Sequence, residues 1–599
     1  MASAPEYTPP LETPFTAGPG RRAGTRSYAV PFIVAVTGHR DLVPDEIPIL
    51  RSRVRDCLFS LRYEYPSRII VVLSSLADGA DRIVAEEAVK LGMPLSVVLP
   101  MPREMYEEDF TAESREQFAK LCDVASEIFE LPLLPGATPR SIVEPGTART
   151  RQYAQVGVFL SAHCHVMLAI WDGKESDRLG GTASTVRFHQ HDVMPGYTPR
   201  VTSSKLNLTE DESDLVYHVV CSRDRPDGAP APGLKPFDTF WFTADEQNPR
   251  TAEMPARHRK VFQYTNEFSR EAQDNAAAID KERYSLLNAE QAATLPPGLW
   301  DINQVFCAAD WLAIQYQKKV VRTLKAGHIA AFLTAVAYLT YTDLQATTLV
   351  LGATIFLMVF AVVNNAVAVR GSWQRKYLDY RTLAEGLRVQ FYWAAAGVTS
   401  GNVSKFAHDN FLQMQDTELG WIRNVMRVAG MECDVRPNLE PRGVEFAVQE
   451  WVGDDKTGQL GYYKKKVAQR IVEHEATQRI GKMGIWTTII AMTALLFSGS
   501  QLPEEMQTPV VYIMGVVLLM VGVRQSYAKT TAEAELIKQY EFMSRIFRNA
   551  RKRIDEADND VDRRRILKIL GDSALEEHAQ WILIHRERSI DEKEGLKLG

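Results

Sequence analysis

The 599 residues predict an α/β domain built on a Rossmann-like parallel sheet, followed by an all-α membrane domain with four transmembrane helices and cytoplasmic helices. Three observations carry that reading. Over the first 225 residues, short apolar runs alternate with segments of helical spacing, as strands buried on both faces do. Further on stand two apolar hairpins, 326–369 and 483–523, charged only at their turns. Their arms approach or meet the roughly 17 to 25 apolar residues that cross a bilayer. Mean hydropathy is −0.19, too polar for a mostly embedded transporter, so most of the chain is in water.

Composition narrows the function classes. A net charge of −6 gives no global basic surface, and no nucleic-acid partner is expected. The 6 cysteines are scattered without metal or disulfide-framework spacing, which suits a reducing cytoplasm. Residues 1–27 are rich in Pro, Thr, Ala and Gly, lack the apolar centre of a signal peptide, and are expected to form a disordered tail.

The strand runs are 32–36, 69–73, 95–99, 166–170 and 216–221. The first runs into Thr37, Gly38, His39 and Arg40, and the second into Asp78, Gly79, Asp81 and Arg82. The third meets Pro100, Met101 and Pro102. The fourth ends at Asp172 and Gly173 with Gly180, Gly181 and Thr182 beyond, and the fifth reaches Ser222 and Arg223. Ligands of open α/β sheets bind outside the carboxyl ends of the strands, so these loops face one crevice.

A nucleotide fits their chemistry. Glycines admit a phosphate to backbone N–H groups, and loops that open helices add the favourable end of the dipole. Arg40 offers a planar fork, Thr182 a hydroxyl, and Asp78 or Asp172 an acceptor for ribose. The alternatives are tight turns at the glycines and an Arg82–Glu86 pair on a solvated helix face. His163, His165, His189 and His191 lie near the same edge. Without a carboxylate or second cysteine to complete four ligands, no metal site is expected there.

The strings "VTGHRDL", "SSLADGADRIVAEEA", "LPMPREMYEEDF", "LAIWDG" and "GGTA" resemble the SLOG superfamily of Rossmann-like nucleotide sensors, related to the LOG phosphoribohydrolases and to the N-terminal regions of TRPM channels. The resemblance covers 28–225. It implies phosphate or sugar contacts at Gly38, Arg40, Gly79, Asp81, Gly180, Gly181 and Thr182, and Tyr153 and Gly157 also match. Enzymes of the LOG type carry a catalytic Glu shortly after the glycine-threonine loop. Here that loop continues Ala183, Ser184, Thr185, Val186, Arg187, so no catalytic residue is assigned and a receiver is expected rather than a hydrolase.

Beyond the sheet, 226–250 contains several Pro and Gly and reads as a linker. Helical spacing covers 257–292, breaks at 295–298, and resumes over 302–324 straight into the first membrane arm. Lys318, Lys319, Arg322 and Lys325 precede the hairpin, and Arg370, Arg375 and Lys376 follow it. By the positive-inside rule both of its ends are cytoplasmic. The string "SWQRKYLDYRTLAEGLRVQ" resembles the helix after the hairpin in SLATT domains, two-helix membrane effectors often joined to SLOG sensors.

The second hairpin has the same flanking charges and a matching exit, "VAVRGSW" against "VGVRQSY", which suggests an internal duplication. The copies run the same way, unlike inverted transporter repeats, and no arm carries an interior acid or base. Asn364 and Asn365 are the pore candidates, or else hydrogen-bond a neighbouring helix.

The resulting division is a tail 1–27, a nucleotide-binding domain 28–225, a linker 226–250 and a first membrane unit 251–425 with spans near 326–342 and 346–369. A linker 426–470 and a second unit 471–599 follow, with spans near 483–501 and 507–523. The expected function is sensing of a nucleotide-derived second messenger, coupled to a pore-forming or membrane-disrupting effector. The resemblance implies bacterial antiphage defence by abortive infection. Location in the inner membrane with both termini cytoplasmic, and homo-oligomers, are expected, with no cofactor besides the nucleotide ligand. The alternatives are a membrane-tethered nucleotide hydrolase or glycosidase using Asp78, Asp81 or Asp172, and a scaffold with a vestigial pocket.

Overall fold

The computed structural model describes residues 28–198, 214–245, 249–344, 346–398, 411–412, 417–498 and 503–587. The expected tail 1–27 lies outside them. The chain forms two compact units, 28–309 with 386–439 and 310–385 with 440–587.

The first unit holds an eight-stranded sheet in the order β4-β3-β2-β1-β5-β6-β7-β8. The strands are β1 (Phe32–Gly38), β2 (Ile70–Ser74), β3 (Leu95–Leu99), β4 (Glu127–Glu130), β5 (Val166–Trp171), β6 (Val216–Val220), β7 (Thr239–Phe242) and β8 (Arg250–Thr251). The first six are parallel, and β7 and β8 turn antiparallel. Strands β2, β3 and β5 are buried at every position, the pattern their unbroken apolar runs predict.

Two strands escape the sequence pattern. Strand β4 carries Glu127 and Glu130 at the sheet edge, where charge blunts further pairing and hides the apolar signal. Strand β7 corrects the linker reading of 226–250: the Pro- and Gly-rich stretch is only the reversal that brings four half-buried residues back against β6.

Around the sheet lie α1 (Ile47–Glu64), α2 (Ala80–Lys90), α3 (Arg103–Glu107), α4 (Ala112–Val124), α5 (Pro139–Val143), α6 (Thr147–His163) and α7 (Thr182–His191). They are followed by α8 (Ala256–Asp274), α9 (Ala276–Glu282) and α10 (Ala289–Thr294). The two-residue period of β1 divides the core between the faces. Ile33 and Ala35 join a cluster with Val71, Phe159, Met167 and Val186. Phe32 instead stacks on Tyr65 at 5.3 Å and meets Phe262 of α8 edge-on at 4.9 Å. His258 of α8 also pairs with the buried Asp214 at 2.8 Å. Helix α8 therefore belongs with the sheet, and the expected boundary near 251 does not separate the units.

The remaining helices are α11 (Leu299–Asp343), α12 (Thr348–Arg370), α13 (Trp373–Ala396), α14 (Gly420–Ala429), α15 (Met431–Val435), α16 (Pro441–Phe446), α17 (Gly458–Ser498), α18 (Glu504–Thr530), α19 (Glu533–Asp555) and α20 (Asp560–Glu587). The chain crosses between units inside α11 and inside α13. Expected linker 426–470 is instead largely helical. Helix α14 packs in the sheet unit, where the Arg427 carbonyl lies 2.9 Å from His163 Nδ1. Arg423 and Arg427 are buried along with Trp421, Ile422 and Met426, so both the polar and the apolar residues of this helix are covered.

Helices α11, α12, α17 and α18 are each long and apolar enough to cross a membrane. Their apolar stretches are exposed almost all round: Leu349 is 81%, Phe356 69% and Phe497 80% accessible. That distribution suits hydrocarbon and is intolerable in water over four helices. It is compatible with a multi-pass membrane protein.

The correspondence read from two short strings extends over three helices. Helices α11, α12 and α13 have 45, 23 and 24 residues, and α17, α18 and α19 have 41, 27 and 23. Each copy enters its third helix through one left-handed residue, Ser372 at φ 49° and Ala532 at φ 51°. Each third helix then returns along the first, with tyrosine rings paired at 5.8 Å (Tyr316–Tyr380) and 6.0 Å (Tyr463–Tyr540). Within the same unit α20 is tied to α13 by the buried Asp379, which meets Arg375 at 3.4 Å and Arg586 at 3.2 Å.

Candidate functional site

The strand order reverses between β1 and β5, and in open α/β sheets that reversal opens a crevice at the carboxyl ends. Most of the candidate loops converge there. The loop after β1 packs on the loop after β2, with the Ala80 N–H donating to the His39 carbonyl at 3.1 Å. Gly38 and Gly79 make that approach possible. A Cβ on Gly38 would stand 2.2 Å from Ala80 Cβ, and one on Gly79, at φ +79°, would stand 2.6 Å from the carbonyls of His39 and Arg40. These two glycines serve loop packing before any ligand.

The start of α2 is already occupied by its own carboxylate. Asp81 is buried and accepts from Ser75 Oγ at 2.7 Å. Burial pushes its pKa up to about 6, against the Ser75 hydrogen bond and the charge of Arg40. Asp78 and Arg82 are tied to each other at 2.9 Å, and Ser114 donates to Asp78 at 2.6 Å. Arg82 also reaches the Leu76 and Ser114 carbonyls and lies 4.7 Å from the Phe110 ring centre. The expected alternative pairing of Arg82 with Glu86 is corrected: Glu86 meets Arg51 at 2.6 Å. Asp78 and Arg82 are thus engaged in holding α2 against α4.

Helix α7 begins differently. Its N-cap is Gly181, with no side-chain cap and no acidic residue in the first turn, so the positive end of its dipole is unopposed. Thr182, the first helical residue, is buried. Gly180, at φ +72°, would set a Cβ 3.3 Å from Tyr153 Cβ, which brings α6 against this turn. Tyr153 links the turn to two arginines, with Arg40 Cζ 6.0 Å and Arg149 Cζ 5.9 Å from its ring centre. Arg149 is held by Asp109 at 2.7 Å, and the Tyr153 hydroxyl also donates to Asp109. Arg40 is exposed and, among the described residues, meets no carboxylate at ion-pair distance.

Across the reversal, Arg223 meets Asp41 at 2.9 Å and the Asp224 N–H donates to the Asp41 carbonyl at 2.8 Å. Because β5 lies between β1 and β6, these bonds arch over its end and bury Asp172. Asp172 Oδ1 lies 3.0 Å from His39 Nε2, off the line of an ideal hydrogen bond, and accepts the Lys174 N–H at 3.1 Å. Burial works to raise the Asp172 pKa, but His39, Lys174 and Arg223 outweigh it and leave the carboxyl below its ordinary value. Gly173, at φ +78°, makes the turn, with Leu234 in the space a side chain would need. Thr37 is buried at the end of β1.

Sequence reasoning missed Asp109, Arg149 and Asp41, which hold the expected contact residues in place. Asp109 lies within the "MPREMYEEDF" string, where three neighbouring acids make it one among several. Three of the four histidines, His163, His165 and His189, are interior groups and His191 is exposed: the Ile33 N–H donates to His165 Nδ1 at 3.0 Å, and burial pulls the His163 pKa down to about 4. No group of three or more His, Cys, Asp or Glu side chains able to hold a metal occurs among the described residues. In the membrane unit Asn364 Nδ2 donates to the Thr323 carbonyl of α11 at 3.1 Å, the helix-joining one of its two expected roles. Asn365 is exposed on α12.

These features define a class: a Rossmann-like sheet domain with polar loops gathered at its strand-order reversal, in one chain with four helices long and apolar enough to cross a membrane. No protein-family model matches the chain, and no curated protein matches it in sequence.

Proposed function

We propose that the chain is a cytoplasmic sensor of a nucleotide-derived second messenger whose binding opens or disrupts the membrane around its four spans. The observation that carries the reading is Arg40. It shares Tyr153 with the uncapped start of α7, so a guanidinium fork and a set of backbone N–H groups border one place at the strand-order reversal. Both favour an anion such as a phosphate. A role as receiver is supported by the engaged state of Asp78 and Asp81 and by the absence of a carboxylate in the Thr182–Arg187 stretch.

Coupling to the membrane would run through α11 and α13, each of which contributes residues to both units. The ligand needs only to favour the open arrangement, and about 5.5 kcal/mol of differential binding moves a 1:99 equilibrium to 99:1. The basic residues flanking both hairpins support cytoplasmic termini at an inner membrane, and the small number of spans supports homo-oligomers. The resemblance to SLOG and SLATT proteins supports a role in antiphage defence.

Calorimetry on the detergent-solubilised chain with mononucleotides, cyclic nucleotides and ADP-ribose tests the sensor. At least one binds with an intact recovery, and Arg40→Ala weakens it about 10- to 100-fold, the worth of a charge-assisted contact. Turnover of the nucleotide would instead select the hydrolase.

A further inference from the structure

Asp172 presents a polar atom that the fold does not satisfy. Its side chain is only 2% accessible, yet among the described residues Oδ2 has no hydrogen-bond partner. The nearest cationic groups, Arg223 NH1 and Arg225 NH2, both stop at 4.0 Å, beyond hydrogen-bond reach. A buried carboxylate oxygen left without a donor costs free energy, and native proteins rarely leave one so. The other oxygen accepts the Lys174 N–H at 3.1 Å and lies 3.0 Å from His39 Nε2, off the line of an ideal hydrogen bond. Arg225 is 44% accessible, so a solvent-facing side chain borders Oδ2.

Asp172 and Arg40 follow the adjacent strands β5 and β1 at the same end of the sheet. His39, which holds Asp172, is the chain neighbour of Arg40. The depressed pKa of Asp172 keeps it an acceptor only, so it calls for a donor and repels a second anion.

We infer that Asp172 Oδ2 is a hydroxyl-reading subsite, and that the ligand presents a sugar hydroxyl there while its phosphate lies by Arg40. This rests on the proposed anion site and adds to it the part of the ligand that is read. The subsite makes the sensor selective for a hydroxylated sugar phosphate over a bare phosphate or a deoxygenated sugar. A site built to pair a buried polar group penalises the ligand that lacks the matching hydroxyl, because the group is then left bare.

The test uses the full-length chain in detergent and three small probes: inorganic phosphate, ribose 5-phosphate and 2-deoxyribose 5-phosphate. The expected result is that ribose 5-phosphate binds about tenfold or more tighter than the other two, a factor equal to about 1.4 kcal/mol. Asp172→Asn removes that preference and binds phosphate at least as tightly as the unaltered protein, because a repelling charge is gone, whereas Arg40→Ala weakens all three alike. The comparison of probes on the unaltered protein stands even where Asp172→Asn fails to fold. Equal binding of the two sugar phosphates, lost in Arg40→Ala, overturns the hydroxyl subsite and leaves the anion site standing. Binding of none of the three overturns both.

Discussion

Replacing Phe356 and Val359 with aspartate abolishes insertion of the first hairpin. Both lie near the middle of α12 and are 69% and 55% accessible. An aspartate at the centre of a spanning helix costs about 2.5–3.5 kcal/mol, so the pair costs roughly 5–7 kcal/mol. On a water-exposed surface the same changes fall within about 0.5 kcal/mol and improve solubility. The two environments therefore predict opposite outcomes for one variant. The proposed orientation puts the hairpin turn outside the cell, so a cysteine in place of Leu344 is expected to react with an impermeant maleimide in intact cells. The double aspartate lowers that labelling at least tenfold. Unchanged labelling, or none in either protein, contradicts the membrane assignment of α12.

The second large effect belongs to the sheet unit. Glu87 of α2 is fully inaccessible, and its carboxylate meets Arg51 at 3.0 Å, Arg55 at 2.9 Å and Lys90 at 2.8 Å. Burial works to raise its pKa, but the three cations overcome it and hold the group down at about 2, against an ordinary 4.5. Its contribution to stability is therefore present above about pH 4.5 and is lost as pH falls through about 2. Arg55 and Lys90 are half exposed and their fields are screened, which keeps the contribution on the order of 2 kcal/mol. Glu87→Gln is destabilised by about that amount at pH 7, read as faster hydrogen exchange in peptides covering β1 and β2. The difference from the unaltered protein narrows as the pH approaches 2. Equal protection at pH 7 contradicts the role given to Glu87.

What was legible in the sequence follows from what each signal measures. Strands β1, β2, β3 and β5 are buried on both faces, so their composition alone marks them. The candidate spans are apolar nearly all round, so length and charge alone mark the four helices that carry them. Strand β7 and helix α14 were hidden because each is short and its burial depends on partners distant in sequence. Helix α14 carries an apolar stripe of Trp421, Ile422, Val425, Met426 and Ala429, but Arg423 and Arg427 outside that stripe are buried as well, and their charge gives no sign of it.

The candidate site divides along the same line. Position after a strand brought Gly38, Arg40, Asp172 and Gly180 to one edge, because topology fixes where strand ends lie. Residue type did not reveal which of them were already engaged. Gly38 and Gly79 are consumed in loop packing, Asp78 and Arg82 in each other, and Asp81 in the start of α2. Arg40 and the open start of α7 remain: among the described residues Arg40 meets no carboxylate at ion-pair distance and α7 has no side-chain cap, which only three-dimensional neighbours disclose.

The central proposal is that a nucleotide bound in the sheet unit changes the permeability of a bilayer. Its most direct measurement is dye efflux from liposomes containing the full-length chain, on addition of the nucleotide that calorimetry identifies. The account predicts efflux from vesicles with the unaltered protein, and at least a tenfold higher nucleotide requirement with Arg40→Ala. Tight binding of that nucleotide with no efflux of dye or ions from any vesicle would contradict it.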